Sequence, residues 1–130
     1  MTRLTLIAAC AALAACGSGE TLYSYGAAGK AWQLESLDGA DHRGMVSLRF
    51  PAPGRVAGQS PCGRFRARQT APYPWLEIQA LTVSGPACPG QTAEAALLAA
   101  LQEMSLAEVA GDVMILSNDA GREMLFRAGG

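Results

Sequence analysis

Three arginines alternate with apolar residues in the stretch "CGRFRARQ". Arg64, Arg66 and Arg68 are separated by Phe65 and Ala67. Residues two apart in a β-strand point to the same face, so the three guanidinium groups would form a row. A guanidinium group binds a phosphate or a carboxylate through two parallel hydrogen bonds. The row is therefore a candidate binding site for lipid A phosphates, peptidoglycan carboxylates or an acidic protein. The alternative is a solvated outer face that protects a sheet edge.

A second candidate binding site is the aromatic stretch "PYPW". Tyr73 and Trp75 alternate here with Pro72 and Pro74, directly before a predicted strand. Aromatic side chains held in an exposed, rigid segment are frequent contact points for partners. The alternative is a loop whose aromatic rings fold back over the mouth of the domain.

Residues suited to catalysis are scarce. His42 is the single histidine, and it lies in the polar loop "DGADHRG" near Asp38 and Asp41. An enzyme needs a nucleophile with a base, a pair of carboxylates or a metal site. Asp38 and Asp41 could form such a pair, but aspartates are also common turn residues. We therefore expect no enzymatic activity, no cofactor and no metal.

Two of the four cysteines lie near the N-terminus. Cys16 ends the motif "LAAC", which follows a short positive start and an apolar run of only about ten residues. Such a run is too short to span a bilayer, which takes roughly 20 apolar residues. The motif resembles the lipobox of bacterial lipoproteins, in which the cysteine is acylated and becomes the first mature residue. Cys10 ends a similar motif but has almost no apolar region before it.

Cys62 and Cys88 remain, and two cysteines in an exported domain indicate one disulfide. A hairpin turning at residues 72–74 would bring them together. The alternative, a metal site, needs more ligands than these two thiols and the distant His42 offer.

Length and charge restrict the remaining possibilities. The 130 residues are enough for one domain, and 10 Lys and Arg against 11 Asp and Glu give a net charge of −1. Nucleic-acid binding normally requires a strongly basic surface, so it is not expected. We divide the chain into a signal peptide (1–15), a lipidated flexible tether rich in Gly, Ser and Ala (16–30) and a domain (31–130).

Most of the domain shows the alternation that is typical of half-buried strands. It appears in "AWQLESL", "MVSLRF", residues 55–59, "CGRFRARQ", "PYPWLEIQAL", "SLAEVAG", "DVMILSN" and "REMLFRA". In "PYPWLEIQAL", the alternation predicts that Leu76, Ile78 and Ala80 share the inner face. The pattern predicts a mainly β (α+β) fold, a curved antiparallel sheet or partly open small β-barrel of about seven to eight strands with one α-helix.

The single helix is predicted over residues 92–104, where the apolar period changes to three and four. Thr92 is the predicted N-cap, and Glu94 is predicted to be a polar position in the first turn. The buried face is predicted to comprise Ala93, Leu97, Leu98, Leu101 and Met104.

The order of these features resembles the META domain of the heat-shock protein HslJ family of bacterial envelope lipoproteins, over about residues 31–128. The matching residues are Trp32, Leu34, Phe50, Gly58, Cys62, Phe65, Ser84, Ala87, Cys88, Leu97, Leu98, Leu101, Gly111, Asp112, Gly121 and Phe126. The family usually has Gly-Cys-Asn where this chain has Pro61-Cys62-Gly63. The missing asparagine removes a side chain that could orient the following turn.

The resemblance implies an envelope protein, and we expect a monomeric or weakly associating lipoprotein whose META-like domain acts by binding, as an accessory or stress-response factor. Its expected partners are the membrane, through the N-terminal lipid, and an envelope protein or an anionic envelope component. Gly17 stands where many lipoproteins kept in the inner membrane have aspartate, so the expected location is the outer membrane, facing the periplasm. The alternative function is inhibition of an envelope-directed hydrolase, such as a lysozyme or a protease.

Overall fold

The computed structural model describes residues 20–61, 63–85 and 91–129. The predictions for the signal peptide, for acylation at Cys16 or Cys10 and for the Cys62–Cys88 disulfide fall on residues outside these ranges.

Alternating side chains produce nine strands among the described residues. They are β1 (Trp32–Leu37), β2 (Ala40–Asp41), β3 (Ser47–Arg49), β4 (Gly54–Ser60), β5 (Gly63–Gln69), β6 (Gln79–Ser84), β7 (Leu106–Ala110), β8 (Val113–Ser117) and β9 (Glu123–Ala128). Eight of them form one antiparallel sheet in the order β6-β5-β4-β3-β1-β9-β8-β7, and β2 pairs with β1.

The sheet curls until its two ends approach each other. Trp75 forms a β-bridge with Leu106 of β7, and the N–H of Ala107 donates to the carbonyl of Pro74 at 2.8 Å. Because this segment leads directly into β6, it brings the β6 end of the sheet towards β7. The described residues thus form a partly open antiparallel barrel with one α-helix, and the predicted fold class is confirmed.

The inner faces of the strands form the core. Trp32, Leu34 and Phe126 are fully buried, and the indole N–H of Trp32 donates to the carbonyl of Ala27 at 3.0 Å. The ring of Phe65 lies so close over Gly58, its partner on β4, that a β-carbon at position 58 would overlap it. Glycine at position 58 therefore leaves room on the core side for the aromatic ring of its cross-strand partner.

The α-helix α1 (Gln91–Glu103) covers the core with Leu97, Leu98, Leu101 and the adjoining Met104, as predicted. Three details of the prediction were wrong. Thr92 is the second residue of the helix rather than its N-cap, Ala93 is exposed, and Glu94 is buried. The helix begins at Gln91, two residues before the first helical position that an N-cap at Thr92 implies, and Glu94 faces Ser60 of the sheet. Among the described residues, no helix combines the length and apolar character needed to cross a membrane.

In the stretch "PYPWLEIQAL", Leu76 and Ile78 are buried as predicted, but Ala80 is exposed. The pairing of β5 with β6 shifts between Arg66 and Arg68, and Ala80 has a φ of 55°. An extra residue in one strand moves the following side chains to the other face. This bulge explains why Leu81, rather than Ala80, packs against the core.

The described part of the expected tether is packed on the domain. Residues Leu22–Tyr25 form a 3-10 helix, η1, in which Leu22 is fully buried, and Ala27 is fully buried just after it. Lys30 forms an ion pair with Asp112 at 3.3 Å and donates to the carbonyl of Gly111. The packed part of the chain therefore extends back to Thr21, whereas we expected it to start near Ala31.

Candidate functional site

The three arginines identified in the sequence occupy the outer face of β5. Arg64, Arg66 and Arg68 are exposed, while Phe65 and Ala67 between them are buried. Side chains two apart on a strand are about 7 Å from each other, so the guanidinium groups form the expected row.

Strand pairing brings two further arginines to the same face. Arg55 of β4 lies directly opposite Arg68, and Ala57 of β4 lies between Arg66 on one side and Arg49 of β3 on the other. Arg49 and Arg55 are exposed. We call the surface formed by Arg49, Arg55, Arg64, Arg66 and Arg68 the arginine face.

No arginine of this face forms an ion pair with a carboxylate among the described residues. The other four described cations all do so, in the pairs Lys30–Asp112 (3.3 Å), Arg43–Asp41 (3.8 Å), Arg122–Asp38 (3.0 Å) and Arg127–Glu35 (2.9 Å). The cations without a carboxylate partner are therefore concentrated on one sheet surface, although the chain as a whole is slightly acidic.

Like charges also oppose each other on this face. Arg55 and Arg68 are direct cross-strand partners. Side chains at such positions have β-carbons roughly 5 Å apart, and like charges placed there destabilise a sheet. A bound anion would offset the repulsion between the two arginines, because it would attract both guanidinium groups.

Shallow grooves run between these arginines. One groove has a volume of about 550 Å³ and is lined by Arg55, Arg66 and Arg68 together with Pro53 and Thr70. A second groove, of about 270 Å³, contains Arg49 and Arg64. Ala57 lines both grooves, so a small side chain lies at the point where an anion could contact arginines of three strands.

The second candidate site contains both an exposed and a packed aromatic side chain. Trp75 is 57 % exposed. Tyr73 is partly buried, its hydroxyl accepts a hydrogen bond from the backbone N–H of Val109 at 3.1 Å, and its ring stacks on Tyr25 with the centroids 4.4 Å apart. Tyr25 itself is 45 % exposed. We call Tyr25, Tyr73 and Trp75 the aromatic patch.

The segments that carry Cys62 and Cys88 approach each other in their described parts. Ser60 donates from Oγ to the buried carboxylate of Glu94 at 2.6 Å, and Arg64 pairs with Ser84. A β-carbon at Gly63 would overlap the carbonyl oxygen of Ser84. Gly63, which stands where the family usually has asparagine, thus permits a close approach of β5 and β6. These contacts support the disulfide, which stays a prediction that thiol titration of the unreduced protein can check.

In the polar loop, Asp38 and Asp41 each form an ion pair with an arginine. Asp38 and Arg122 form an ion pair that joins the β1–β2 turn to the β8–β9 loop. The backbone N–H of Glu123, which donates to the carboxylate of Asp38 at 2.9 Å, holds the pKa of Asp38 below its usual value, and Arg122 adds to this effect. The backbone N–H of His42 donates to the carbonyl of Glu35. In the described part of the chain, no three His, Cys, Asp or Glu side chains come together in a way that could hold a metal ion.

Sequence reasoning missed Arg49, Arg55, Ala57 and Tyr25. Pairing β4 with β5 would have placed Arg55 opposite Arg68. Pairing β3 with β4 across the turn at residues 51–54 would have placed Arg49 beside Ala57 on the same face. Tyr25 had no comparable signal, since it lies in a segment rich in Gly, Ser and Ala.

Two solved structures share the fold. An NMR structure of a protein from Burkholderia xenovorans has 21 % identity and a TM-score of 0.63, with 79 % of this chain and 83 % of that chain covered. A crystal structure of a DUF4847 family protein from Bacteroides vulgatus has 11 % identity and a TM-score of 0.65, with 82 % and 96 % covered. At these identities the likeness shows the fold alone. No curated protein matches the sequence significantly.

The comparison with protein families gives a match over most of the chain. The model of the META domain matches residues 26–129, which include β1 to β9 and α1. The chain therefore belongs to the META domain family.

Proposed function

We propose that this protein is a lipid-anchored, non-enzymatic protein of the bacterial envelope whose META domain binds an anionic envelope component through the arginine face. The observation that carries the proposal is the presence of five arginines without carboxylate partners on three adjacent strands. The motif ending at Cys16 supports the anchor and the location, which we expect to be the outer membrane facing the periplasm.

The arrangement supports recognition of more than a single anion. Arg55, Arg66 and Arg68 line one groove, and its volume of about 550 Å³ lies within the range of small-molecule sites, roughly 300–1,000 Å³. A ligand with two or more phosphate or carboxylate groups on a sugar or peptide framework would contact several guanidinium groups at once. Diphosphorylated lipid A headgroups and peptidoglycan fragments both have this chemistry.

The alternative function, inhibition of an envelope-directed hydrolase, is less well supported. A small inhibitor typically inserts a rigid projecting loop into a cleft. The grooves that contain the arginines lie along a sheet face. Such a surface is better suited to binding a ligand than to entering the cleft of a hydrolase.

The test is calorimetric binding of the purified full chain to a diphosphorylated lipid A headgroup analogue and to muramyl peptides. Arg66→Gln should weaken binding of the correct ligand about tenfold or more, since hydrogen bonds to charged groups contribute roughly 1.5–3 kcal/mol. Arg43→Gln is the matched control, because it removes the same charge from an exposed arginine outside the arginine face.

Binding should also weaken as the salt concentration rises, because exposed charges are screened. Equal affinities of the Arg66→Gln and Arg43→Gln variants for every anion tested would contradict the proposed function. Binding of an acidic hydrolase in place of both small ligands would favour the inhibitor instead.

A further inference from the structure

Two of the most exposed large apolar side chains of the described residues belong to the aromatic patch. Trp75 is 57 % exposed and Tyr25 is 45 % exposed, while Val83 on β6 is the third such side chain. Trp75 and Tyr25 are connected through Tyr73, which stacks on Tyr25 and lies two residues before Trp75.

The backbone holds this patch in place from two directions. The N–H of Tyr73 donates to the carbonyl of Glu20 at 2.8 Å, which fixes the start of the described chain beside the patch. On the other side, Trp75 is bridged to Leu106, and the N–H of Leu76 donates to the carbonyl of Ser105 at 2.9 Å. The exposed rings are thus presented by a supported segment of the barrel.

The distance along the chain from the expected anchor to this patch is short. Cys16 precedes Glu20 by four residues, and a fully extended chain covers at most about 3.6 Å per residue, so Glu20 lies within about 14 Å of an acylated Cys16. The polar headgroup region on each side of a bilayer is roughly 5–7 Å thick. Anchoring at Cys16 would therefore keep the aromatic patch close to the membrane surface.

The chemistry of the patch suits that location. Trp and Tyr are enriched at membrane–water interfaces because each combines an apolar ring with a group that forms hydrogen bonds with water. The hydroxyl of Tyr73 accepts a hydrogen bond from Val109, and the indole of Trp75 is more than half exposed.

We propose that the aromatic patch inserts into the interface of the lipid bilayer and so fixes the orientation of the anchored domain. This inference rests on the proposed function, because it requires the lipid at Cys16. It shares no residue with the arginine face, so each surface can be altered and measured separately.

The chain itself provides the probe, since it has two tryptophans and Trp32 is fully buried. The full chain, with acylation verified by mass spectrometry, is reconstituted into vesicles of phosphatidylethanolamine and phosphatidylglycerol at about three to one. The emission of Trp75 should shift to shorter wavelength and be quenched by phospholipids brominated on their acyl chains. Trp75→Phe should remove both effects and leave the emission of Trp32 as the baseline.

A second variant tests the patch as a surface. The double variant Tyr25→Ser/Trp75→Phe removes both exposed rings and leaves Trp32 as the baseline emission. Because Tyr25 stacks on Tyr73, the melting temperature of this variant is measured to verify that the domain is folded at the assay temperature. With Trp75 retained, Tyr25→Ser alone should reduce quenching by the brominated lipid. Ser24→Ala, an exposed neighbour of Tyr25 in η1, is the control and should leave quenching unchanged.

Three results would overturn the inference. If the protein were not acylated, both this inference and the anchoring part of the proposed function would be overturned. Unquenched emission of Trp75 in verified acylated protein would overturn this inference alone and leave anion binding untouched. If the emission of Trp75 shifted to shorter wavelength in native envelopes but not in vesicles that contain no other protein, the aromatic patch would bind a protein partner and not the lipid.

Discussion

At the scale of single residues, Ala57 tests the arginine face most directly. Its partners in the sheet are Arg49 on β3 and Arg66 on β5. Ala57→Glu would place a carboxylate between them, and opposite charges at cross-strand positions contribute roughly 0.2–1 kcal/mol per pair. We expect this variant to have an equal or higher melting temperature and to lose anion binding.

Ala57→Gln is the matched control, because glutamine has the same size as glutamate without its charge. It should retain more of the binding than Ala57→Glu in the same titration. Unchanged anion affinity in the glutamate variant would show that the ligand does not occupy the space above Ala57.

Asp38 gives a prediction about pH. The backbone N–H of Glu123 and the guanidinium of Arg122 hold the pKa of Asp38 below its usual value, so the folded state favours the charged form. Stability from this group is therefore present above the unfolded pKa of about 3.9 and is lost as the pH falls through the lower folded value. Asp38→Asn should lower the melting temperature at neutral pH, and the difference from the parent should shrink below about pH 4.

The substitution leaves the backbone of the turn nearly unperturbed. Asp38 has a φ of 51°, a conformation that asparagine also tolerates, so the comparison isolates the charge. A melting-temperature difference that persists unchanged to pH 3 would show that the ion pair is not its cause.

At the scale of elements, Glu94 joins the helix to the sheet. Its buried carboxylate lies in the first turn of α1, where the helix dipole favours negative charge, and accepts from Ser60 at 2.6 Å. Glu94→Ala should lower the free energy of unfolding by about 1–3 kcal/mol, because it removes a charged acceptor and leaves the Ser60 hydroxyl without this bond.

A double-mutant cycle with Ser60→Ala measures the coupling, and denaturant unfolding supplies the four free energies. Additive effects of the two substitutions would contradict a direct link between β4 and α1. Glu108→Ala on β7 is the control, since Glu108 is exposed and forms no ion pair with the described cations.

The sequence predicted those features of the elements that depend on local periodicity. The alternation on β5 placed Phe65 inside and Arg64 outside, and both positions are confirmed. The bulge at Ala80 could not be predicted, because the apolar phase runs through it without interruption and alanine rarely adopts a positive φ. The burial of Glu94 could not be predicted either, because the helix dipole already explains a glutamate in the first turn without requiring it to be buried.

At the scale of the whole molecule, the features missed from the sequence depend on contacts between distant segments. Arg49 and Arg55 join the arginine face only through the β3–β4 and β4–β5 registers. Tyr25 joins the aromatic patch through its stacking on Tyr73, which is far away in the sequence. Composition predicted a flexible tether for residues 16–30 because Gly, Ser and Ala dominate it, whereas the burial of Leu22 and Ala27 attaches part of that segment to the domain.

That leucine allows a test of where the folded unit begins. Leu22 is fully buried beside Ala27, so Leu22→Ala should lower the free energy of unfolding by about 2–5 kcal/mol, the usual cost of truncating a buried leucine. Ser24→Ala, an exposed position in the same 3-10 helix, should cost about 0.5 kcal/mol or less. Denaturant unfolding of both variants gives the comparison. Equal stabilities would mean that residues 20–30 are a free tether after all, and the short distance between Cys16 and the aromatic patch would then no longer constrain the anchored domain.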